Sequence, residues 1–329
     1  MEMNPMSKLI QSEFPTPPLP HRNLEEEELA AFAEEGAVCA RGLIDEQTIE
    51  HMRDATEEVI RNQGVLGGEG INLADQGFHG DIFVWKLNDA FRDLALFSSL
   101  PALAHQVLGT ETVNFFYEQF FIKRAGSPVE TPWHQDIPFW PVAGSQIVSF
   151  WITLDPVTRE SSGLEFVRGS HRWDQRYKAV TPNYEPYMMD SDLPSAPNFA
   201  EQRDEVELLG WDMEPGDALI FDSVVCHGSA GNASNSQDRR ALAFRYSGDD
   251  VVFAPRHATM PLLWEHGLEP GERLGGPLFP QVWPHVIDSE IARRWEGPEP
   301  PSPKALGEFL EHLRDSGFGP DGDKTSIFN

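Results

Sequence analysis

The sequence predicts a mainly β protein in which helices flank a two-layered β-sandwich. Runs of β-branched and aromatic residues recur between residues 112 and 246, whereas helical spacing of apolar residues is concentrated before residue 108. A chain of 329 residues can bury one full core, and no evident linker divides it. The proline-dense stretch 14–20 cannot continue a helix or a central strand, so we expect residues 1–22 to form an extended arm.

The remainder, residues 23–329, is expected to be a single domain. Its predicted parts are a helical buttress over 23–108, a sandwich core over roughly 110–252 and a C-terminal extension over 253–329. In the buttress, Asn23 is the predicted cap of a helix that Gly36 ends, and Asp45 is the predicted cap of a second helix. The other elements expected there are a strand at 37–40, a Gly-rich loop at 64–70, a strand at 81–86 and a helix at 95–108.

The core is predicted to consist of short strands. Residues 112–123 alternate aromatic and polar positions as a half-buried strand does. The segment 172–205 is irregular and suits an ordered flap over a pocket, although a surface loop has the same composition. The other predicted elements are strands at 147–153, 162–171, 218–221 and 241–246, and helices at 287–295 and 303–314.

A candidate metal site lies in the stretch 133–140. His134 and Asp136 are two residues apart, so on extended backbone both side chains leave the same face of the strand. An imidazole and a carboxylate are two of the three ligands of a facial triad, which leaves coordination positions open for substrate and O2. His227, between an apolar run and a loop rich in Gly, Asn and Ser, is the candidate third ligand. His171 is a further candidate, but a turn histidine bonded to backbone is the preferred interpretation.

Several segments together resemble the phytanoyl-CoA dioxygenase-like branch of the Fe(II)/2-oxoglutarate oxygenases. They are His134-Gln135-Asp136, the run 162–171, the turn Pro215-Gly216-Asp217, and His227-Gly228-Ser229 leading to Asn232 and Arg239. Their order and spacing over residues 30–250 are more specific than any single motif. The resemblance implies a double-stranded β-helix core, of the jelly-roll or cupin-like type. It also implies that His134, Asp136 and His227 are the catalytic ligands of Fe(II).

The same resemblance implies 2-oxoglutarate as co-substrate and O2 as oxidant. Arg239 is expected to bind the distal carboxylate, because a guanidinium fork matches both oxygens, and Ser229 to add a hydrogen bond. By family analogy, Trp151 packs on 2-oxoglutarate and Gln119 contacts it. Arg240 is expected to face away from this site and to form a salt bridge.

The expected reaction is hydroxylation of a C–H bond of a small-molecule metabolite, with release of succinate and CO2. Desaturation, epoxidation or ring closure stay open, as does a catalytically inactive β-sandwich that only binds a ligand. The expected wall of the substrate pocket contains Trp133, Phe139 and Trp140, together with the irregular segment. Arg245 shares a strand face with Arg239 and is a further candidate substrate contact, although a salt bridge is the better prediction for it.

The composition argues against several classes of partner. The formal net charge of -28, from 53 acidic and 25 basic residues, disfavours nucleic acid and anionic membranes. It also disfavours an acyl-CoA, whose phosphates need several Lys or Arg side chains. No apolar run approaches the ~18 residues of a membrane span. Two cysteines, and an N-terminal stretch without the segments of a secretory signal, predict a reducing cytoplasm. The oligomeric state is not indicated.

Overall fold

The computed structural model describes residues 22–66, 74–179, 192–256, 259–260, 262–284 and 298–308. In chain order the helices are α1 (Glu26–Glu35), α2 (Glu46–Arg61), α3 (Asp89–Phe97) and α4 (Leu100–Leu108). The strands are β1 (Ala37–Ala40), β2 (Phe78–Ile82), β3 (Val113–Lys123), β4 (Thr131–His134), β5 (Val142–Ala143), β6 (Ile147–Thr153), β7 (Glu165–Val167), β8 (Leu208–Gly210), β9 (Ala218–Asp222), β10 (His227–Ser229), β11 (Arg239–Ser247), β12 (Val252–Phe253) and β13 (Gln281–Trp283). No helix among these described residues is long and apolar enough to span a membrane.

The larger layer of the fold is an antiparallel sheet of seven strands. Its order is β1-β9-β6-β11-β3-β13, and β2 pairs with the part of the β3 edge that β13 leaves free. The register aligns Arg239 with Lys123 and Arg245 with Tyr117 across β11 and β3. Since directly opposed residues share a face, these four side chains lie on the same side of the sheet.

A second antiparallel sheet, in the order β4-β10-β7-β8, forms the smaller layer. Residues from both sheets, including Trp151, Phe166 and Phe221, share one hydrophobic cluster, which lies between the layers. The helices cover the opposite face of the larger sheet through another cluster, to which Phe91 and Phe244 belong. The predicted β-sandwich with flanking helices is confirmed.

Local sequence patterns predicted several elements correctly. Gly36 ends α1 in the left-handed region, with a φ of 85°, which glycine adopts at little cost. The Asp45 carboxylate accepts a hydrogen bond of 2.9 Å from the Thr48 backbone N–H and so caps α2. The strands predicted at 37–40 and 147–153 are β1 and β6.

Other predicted elements differ from the structure. Helix α1 is capped by Glu25 in a capping box with Glu28, so the predicted cap at Asn23 is wrong. The helix predicted at 95–108 is two helices, α3 and α4. The strand predicted at 81–86 ends at Ile82, because Phe83 adopts a left-handed φ of 54° and a 3-10 turn follows.

The larger sheet also extends beyond the predicted core of 110–252. Strands β1 and β2 come from the predicted buttress, and β13 comes from the predicted C-terminal extension. Strand β3 was predicted to be half-buried, which is wrong because nine of its eleven residues are buried, on both faces of the sheet. Residues 303–308 are helical, as predicted. The predicted features that fall outside the described residues are the arm up to residue 21, the loop at 67–70, the middle of the irregular segment at 180–191, the helix at 287–295 and residues 309–314 of the helix predicted at 303–314.

Candidate metal centre and co-substrate site

The smaller sheet brings the three predicted metal ligands together. His134 ends β4 and lies directly opposite His227 at the start of β10, and Asp136 follows in the next turn. One potential ligand atom of each residue lies within 4.8 Å of the other two. In the part of the chain that the structure describes, this is the one such group of His, Cys, Asp and Glu. The His134 side chain is 21% exposed, so the centre is open to solvent on one side.

Backbone contacts orient both imidazole rings. His134 Nδ1 lies 2.7 Å from the Pro132 carbonyl oxygen, and His227 Nδ1 lies 3.1 Å from that of Val225. Since a carbonyl only accepts, Nδ1 carries the hydrogen in each ring, and Nε2 is the nitrogen that faces the centre. Burial first, and the nearby His134 second, lower the pKa of His227 to about 3, so this ring is neutral at pH 7. A neutral imidazole is the form that binds metals.

Acceptor atoms converge on one point in this centre. Asp136 Oδ1 lies 3.4 Å from His134 Nε2 and 3.9 Å from His227 Nε2. Burial raises the pKa of the Asp136 carboxyl, but the Arg245 guanidinium together with His134 and His227 outweighs burial and holds that pKa below its usual range. Asp136 Oδ2 is buried and has no hydrogen-bond partner among the described residues. Lone pairs that face one another in this way repel unless a cation lies among them, so the donor set fits a divalent metal ion.

A strip of β11 side chains lies on the inner face of the larger sheet and begins beside this centre. The strip consists of Arg245, Ala243, Ala241 and Arg239. The two alanines leave room above the sheet. Within β3, all of which the structure describes, only Gln119 and Phe121 are partly exposed, and they lie opposite these alanines. The exposure indicates an opening between the two sheets, with an arginine at each end of the strip, six residues apart on β11.

Arg239 lies at the far end of this opening. It is 1% exposed and forms no ion pair with a carboxylate among the described residues. Its guanidinium donates long hydrogen bonds to the Phe121 carbonyl (3.3 Å) and to Ser162 Oγ (3.4 Å), and its Nε has no partner there. The guanidinium carbon lies 5.5 Å from the centre of the Trp151 ring. Burial lowers the pKa of Arg239 to about 9, which leaves it charged near pH 7.

A second buried cation, Lys123, lies opposite Arg239 in the sheet. Lys123 is 0% exposed, and its Nζ donates to Ser229 Oγ at 2.9 Å and to the Ala230 carbonyl at 3.0 Å. Burial first, and the charge of Arg239 second, lower the pKa of Lys123 well below its ordinary value. We call Lys123, Ser162, Ser229 and Arg239 the cationic cluster. Because it holds two buried cationic side chains, the cluster fits a carboxylate.

The predicted substrate residues occupy different positions. Trp140 is fully buried and donates a hydrogen bond of 2.6 Å to the Tyr117 hydroxyl, while Phe139 is partly exposed in the turn after Asp136. Trp133 points to the outer face of the smaller sheet, because alternate residues of a strand face opposite ways. There it donates to Asn198 Oδ1 at 3.1 Å and packs edge-on against Phe199. The proposed site therefore excludes Trp133. The described ends of the irregular segment pack around it on this outer face.

His171, Arg240 and Arg245 have contacts that match their preferred interpretations. His171 Nε2 bonds the Ala33 carbonyl at 3.2 Å. Arg240 forms two hydrogen bonds to the carboxylate of Asp155, of 2.9 and 2.6 Å. Arg245 forms an ion pair, with its Nε 3.6 Å from Asp136 Oδ2.

Two residues of this region, Lys123 and Arg256, were not predicted from the sequence. Lys123 ends a strand that was predicted to be half-buried, where a lysine ordinarily faces solvent. Arg256 donates hydrogen bonds to the carbonyls of Ile137 (3.1 Å), Trp140 (2.7 Å) and Val142 (2.9 Å), so it fixes the chain that follows Asp136. The register of β3 and β11 is the signal that places Lys123 beside Arg239, and no local signal marks Arg256.

The profile of the phytanoyl-CoA dioxygenase family matches residues 32–241. That range is well over half of the chain and contains the three converging ligands and Arg239. The chain belongs to the phytanoyl-CoA dioxygenase family. Together with the His-Asp-His centre, this membership confirms the predicted enzyme class, a non-heme Fe(II)/2-oxoglutarate-dependent dioxygenase.

Relatives within the family act on different molecules. The chain is 35% identical to the 1-deoxypentalenic acid 11-beta-hydroxylase of Streptomyces arenae over 105 residues, which are 32% of this chain and 35% of that enzyme. It is 23% identical to the ectoine dioxygenase of Nocardia farcinica over 245 residues, 71% and 82% of the two chains. Among solved structures, the non-heme alpha ketoglutarate dependent carbocyclase SnoK matches with a TM-score of 0.64 at 22% identity, covering 80% of this chain and 99% of that one. This likeness confirms the jelly-roll fold.

Proposed function

We propose that this family member hydroxylates a C–H bond of a small-molecule metabolite, using Fe(II), 2-oxoglutarate and O2 and releasing succinate and CO2. The observation that carries the proposal is the convergence of acceptor atoms from His134, Asp136 and His227 beside an opening between the sheets. The cationic cluster at the far end of that opening supports it, because 2-oxoglutarate has a carboxylate at each end.

Each of the three converging residues has a defined part in holding the metal. His134 and His227 would bind Fe(II) through Nε2, and Asp136 through its carboxylate. When bound, Fe(II) with 2-oxoglutarate supplies the activation of O2 that is coupled to oxidative decarboxylation. The sheet contributes pre-orientation, since the two histidines are paired across a ladder and neither ring needs to turn.

The cationic cluster would bind the distal carboxylate of 2-oxoglutarate. The Arg239 fork and the Lys123 ammonium supply N–H donors, and the hydroxyls of Ser162 and Ser229 lie between them. A carboxylate there would offset the cost of burying two cations together. Trp151, whose ring lies by the guanidinium, would exclude water from this end, and Gln119 would contact the molecule from β3.

An anaerobic titration tests the proposal. Fe(II) and 2-oxoglutarate added to the purified protein should produce the visible charge-transfer absorption of the Fe(II) chelate. Admission of O2 should then form succinate at a slow rate even without substrate. Absence of both signals would favour the alternative of a β-sandwich that binds a ligand without turnover.

Ring closure is the second candidate reaction. It rests on the structural likeness to SnoK, which is named as a carbocyclase, whereas the relative with 35% identity is named as a hydroxylase. Product mass separates the two, because hydroxylation adds one oxygen and ring closure removes two hydrogens. A small molecule fits either reaction. A reducing cytoplasm remains the proposed location, in keeping with the free cysteines Cys39 and Cys226.

A further inference from the structure

The guanidinium of Arg245 is held rigidly beside the metal centre. Arg245 is 3% exposed and points from β11 to the inner face of the larger sheet. Its guanidinium carbon lies 4.6 Å from the centre of the Tyr117 ring and 5.3 Å from that of the Trp140 ring. The hydrogen bond from Trp140 to the Tyr117 hydroxyl fixes these two rings relative to each other. Aromatic faces on a guanidinium set its plane and leave its edge free to bind a ligand.

Two of the three guanidinium nitrogens of Arg245 form no hydrogen bond to the described residues. Nε and Nη1 are buried and make no hydrogen bond within the described part of the chain. The carboxylate of Asp136 is the facing anion, with Oδ2 3.6 Å from Nε, beyond hydrogen-bond distance. A bound metal ion would also be partly neutralised by the single negative charge of Asp136, which leaves less of that charge to balance Arg245. The charge of the buried Arg245 guanidinium is then only partly balanced. A second anion at its free donors would stabilise it.

We propose that Arg245 binds a carboxylate of the substrate, and that the substrate is therefore a small-molecule acid. The inference rests on the proposed function, because it presumes an iron centre at His134, Asp136 and His227. The carboxylate would accept hydrogen bonds from the guanidinium edge, in the charge-assisted geometry that favours arginine over lysine. This carboxylate would be additional to both carboxylates of 2-oxoglutarate, of which the keto-acid end would lie at the iron and the distal end at the cationic cluster around Arg239.

Binding of matched acids and amides to the anaerobic protein with Fe(II) and saturating 2-oxoglutarate tests the inference. The probes are cyclohexanecarboxylate, phenylacetate and adamantane-1-carboxylate, each compared with its carboxamide. Binding is read from the change that each probe causes in the charge-transfer absorption of the chelate, so no turnover is required. At least one acid should bind tenfold or more tightly than its amide. Arg245→Gln, at a 2-oxoglutarate concentration that saturates its own chelate, should abolish that difference, and Arg245→Lys should retain part of it.

The outcomes separate the inference from the function on which it rests. If the wild type forms no chelate, the proposed function fails and the inference fails with it. If the chelate forms but no acid binds more tightly than its amide, the inference alone is overturned. It is also overturned if Arg245→Gln forms the chelate and still binds the acid more tightly than its amide. If Arg245→Gln forms no chelate, the wild-type acid and amide pairs decide the question. Thermal unfolding of both variants shows whether the fold is intact, and the wild-type acid and amide pairs decide the question if Arg245→Gln does not fold.

Discussion

The rings of His134 and His227 are oriented by the same local contact. Each Nδ1 lies against the backbone carbonyl oxygen two residues earlier, 2.7 Å away at Pro132 and 3.1 Å away at Val225. The two residues are also directly paired between β4 and β10. The metal centre is thus built on the hydrogen-bonded ladder of the smaller sheet, and its geometry exists before any ion binds.

Loss of either histidine should therefore remove metal binding without loss of the fold. We expect His227→Ala to weaken Fe(II) binding by more than about a hundredfold, which exceeds the typical cost of losing an outer contact. Its succinate production should fall below detection. His171→Ala is the matched control, because that ring bonds the Ala33 carbonyl and lies outside the centre. Fe(II) titration measures the metal affinity of both variants, and circular dichroism shows whether their fold is intact. Full Fe(II)-dependent succinate production by His227→Ala would disprove the assignment.

Arg239 and Arg240 are neighbours in sequence with opposite environments. Arg239 is buried in the cationic cluster, whereas Arg240 faces away and pairs with Asp155. We expect Arg239→Ala to weaken 2-oxoglutarate binding about a hundredfold, since loss of a charge-assisted pair costs a few kcal/mol. Arg240→Ala should lower the melting temperature and leave the 2-oxoglutarate affinity nearly unchanged. Anaerobic titration of the chelate absorption measures both. Equal losses of affinity would contradict the proposed role of Arg239.

Lys123 should affect stability and co-substrate binding in opposite directions. Replacing a buried cation by an apolar side chain of similar length is often neutral or stabilising, by about 1–4 kcal/mol in known buried pairs. We therefore expect Lys123→Met to be at least as stable as the wild type without ligand, and to bind 2-oxoglutarate at least about tenfold more weakly. Chemical denaturation and chelate titration measure the two effects. A variant with unchanged affinity would remove Lys123 from the proposed site.

The same substitution should change how stability depends on pH. Folding lowers the pKa of Lys123, so between that lowered value and the ordinary lysine value of about 10.4 the unfolded chain binds more protons. The contribution of Lys123 to the free energy of unfolding therefore increases as pH rises through that window and decreases as pH falls. The free energy of unfolding is measured for wild type and Lys123→Met in the presence of a metal chelator and without 2-oxoglutarate. From pH 7 to 9 the value for the wild type should rise relative to that for Lys123→Met. A shift in the opposite direction would show that Lys123 is not destabilised by burial.

Short-range patterns allowed much of the site to be predicted from sequence. The spacing of His134 and Asp136 fixes their proximity, and the period of two along β11 places Arg239 and Arg245 on one face. Lys123 was not predictable in the same way. It is buried because residues more than a hundred positions later, Ser229 and Ala230, cover its ammonium group. Such coverage depends on tertiary structure, which strand alternation does not report.

Two further differences between the predicted and the observed strands also depend on tertiary structure. The early end of β2 results from the left-handed φ of Phe83, a conformation that bulky residues rarely adopt and that no turn residue signals there. The addition of β13 to the larger sheet joins residues 113 and 114 to residues 281–283. A strand of three residues at that distance has no periodic signal long enough to identify.

Arg256 gives a test of how far this C-terminal region supports the metal centre. Its hydrogen bonds hold the carbonyls of Ile137, Trp140 and Val142, directly after Asp136. We expect Arg256→Ala to weaken Fe(II) binding about tenfold, at the low end of the range for outer contacts of metal sites. Arg168→Ala is the control, because its ion pairs with Glu35 and Glu207 lie at the surface. Metal titration of the two variants should separate them, and equal affinities would show that the loop holds its shape alone.

Asp136 should direct the reaction to hydroxylation and not to halogenation. Its carboxylate brings negative charge to the centre beside His134 and His227, so a bound iron would have two protein nitrogens and one protein oxygen as ligands. With 2-oxoglutarate and O2 as the other ligands during turnover, no position would be left for chloride. Asp136→Gly would vacate one further position, so chloride, compared with sulfate at equal ionic strength, should change its chelate absorption more than that of the wild type. Once a substrate is known, turnover of the wild type in high chloride should give a product heavier by one oxygen. A chlorinated main product from the wild type would disprove both the ligand assignment and the reaction proposed from it.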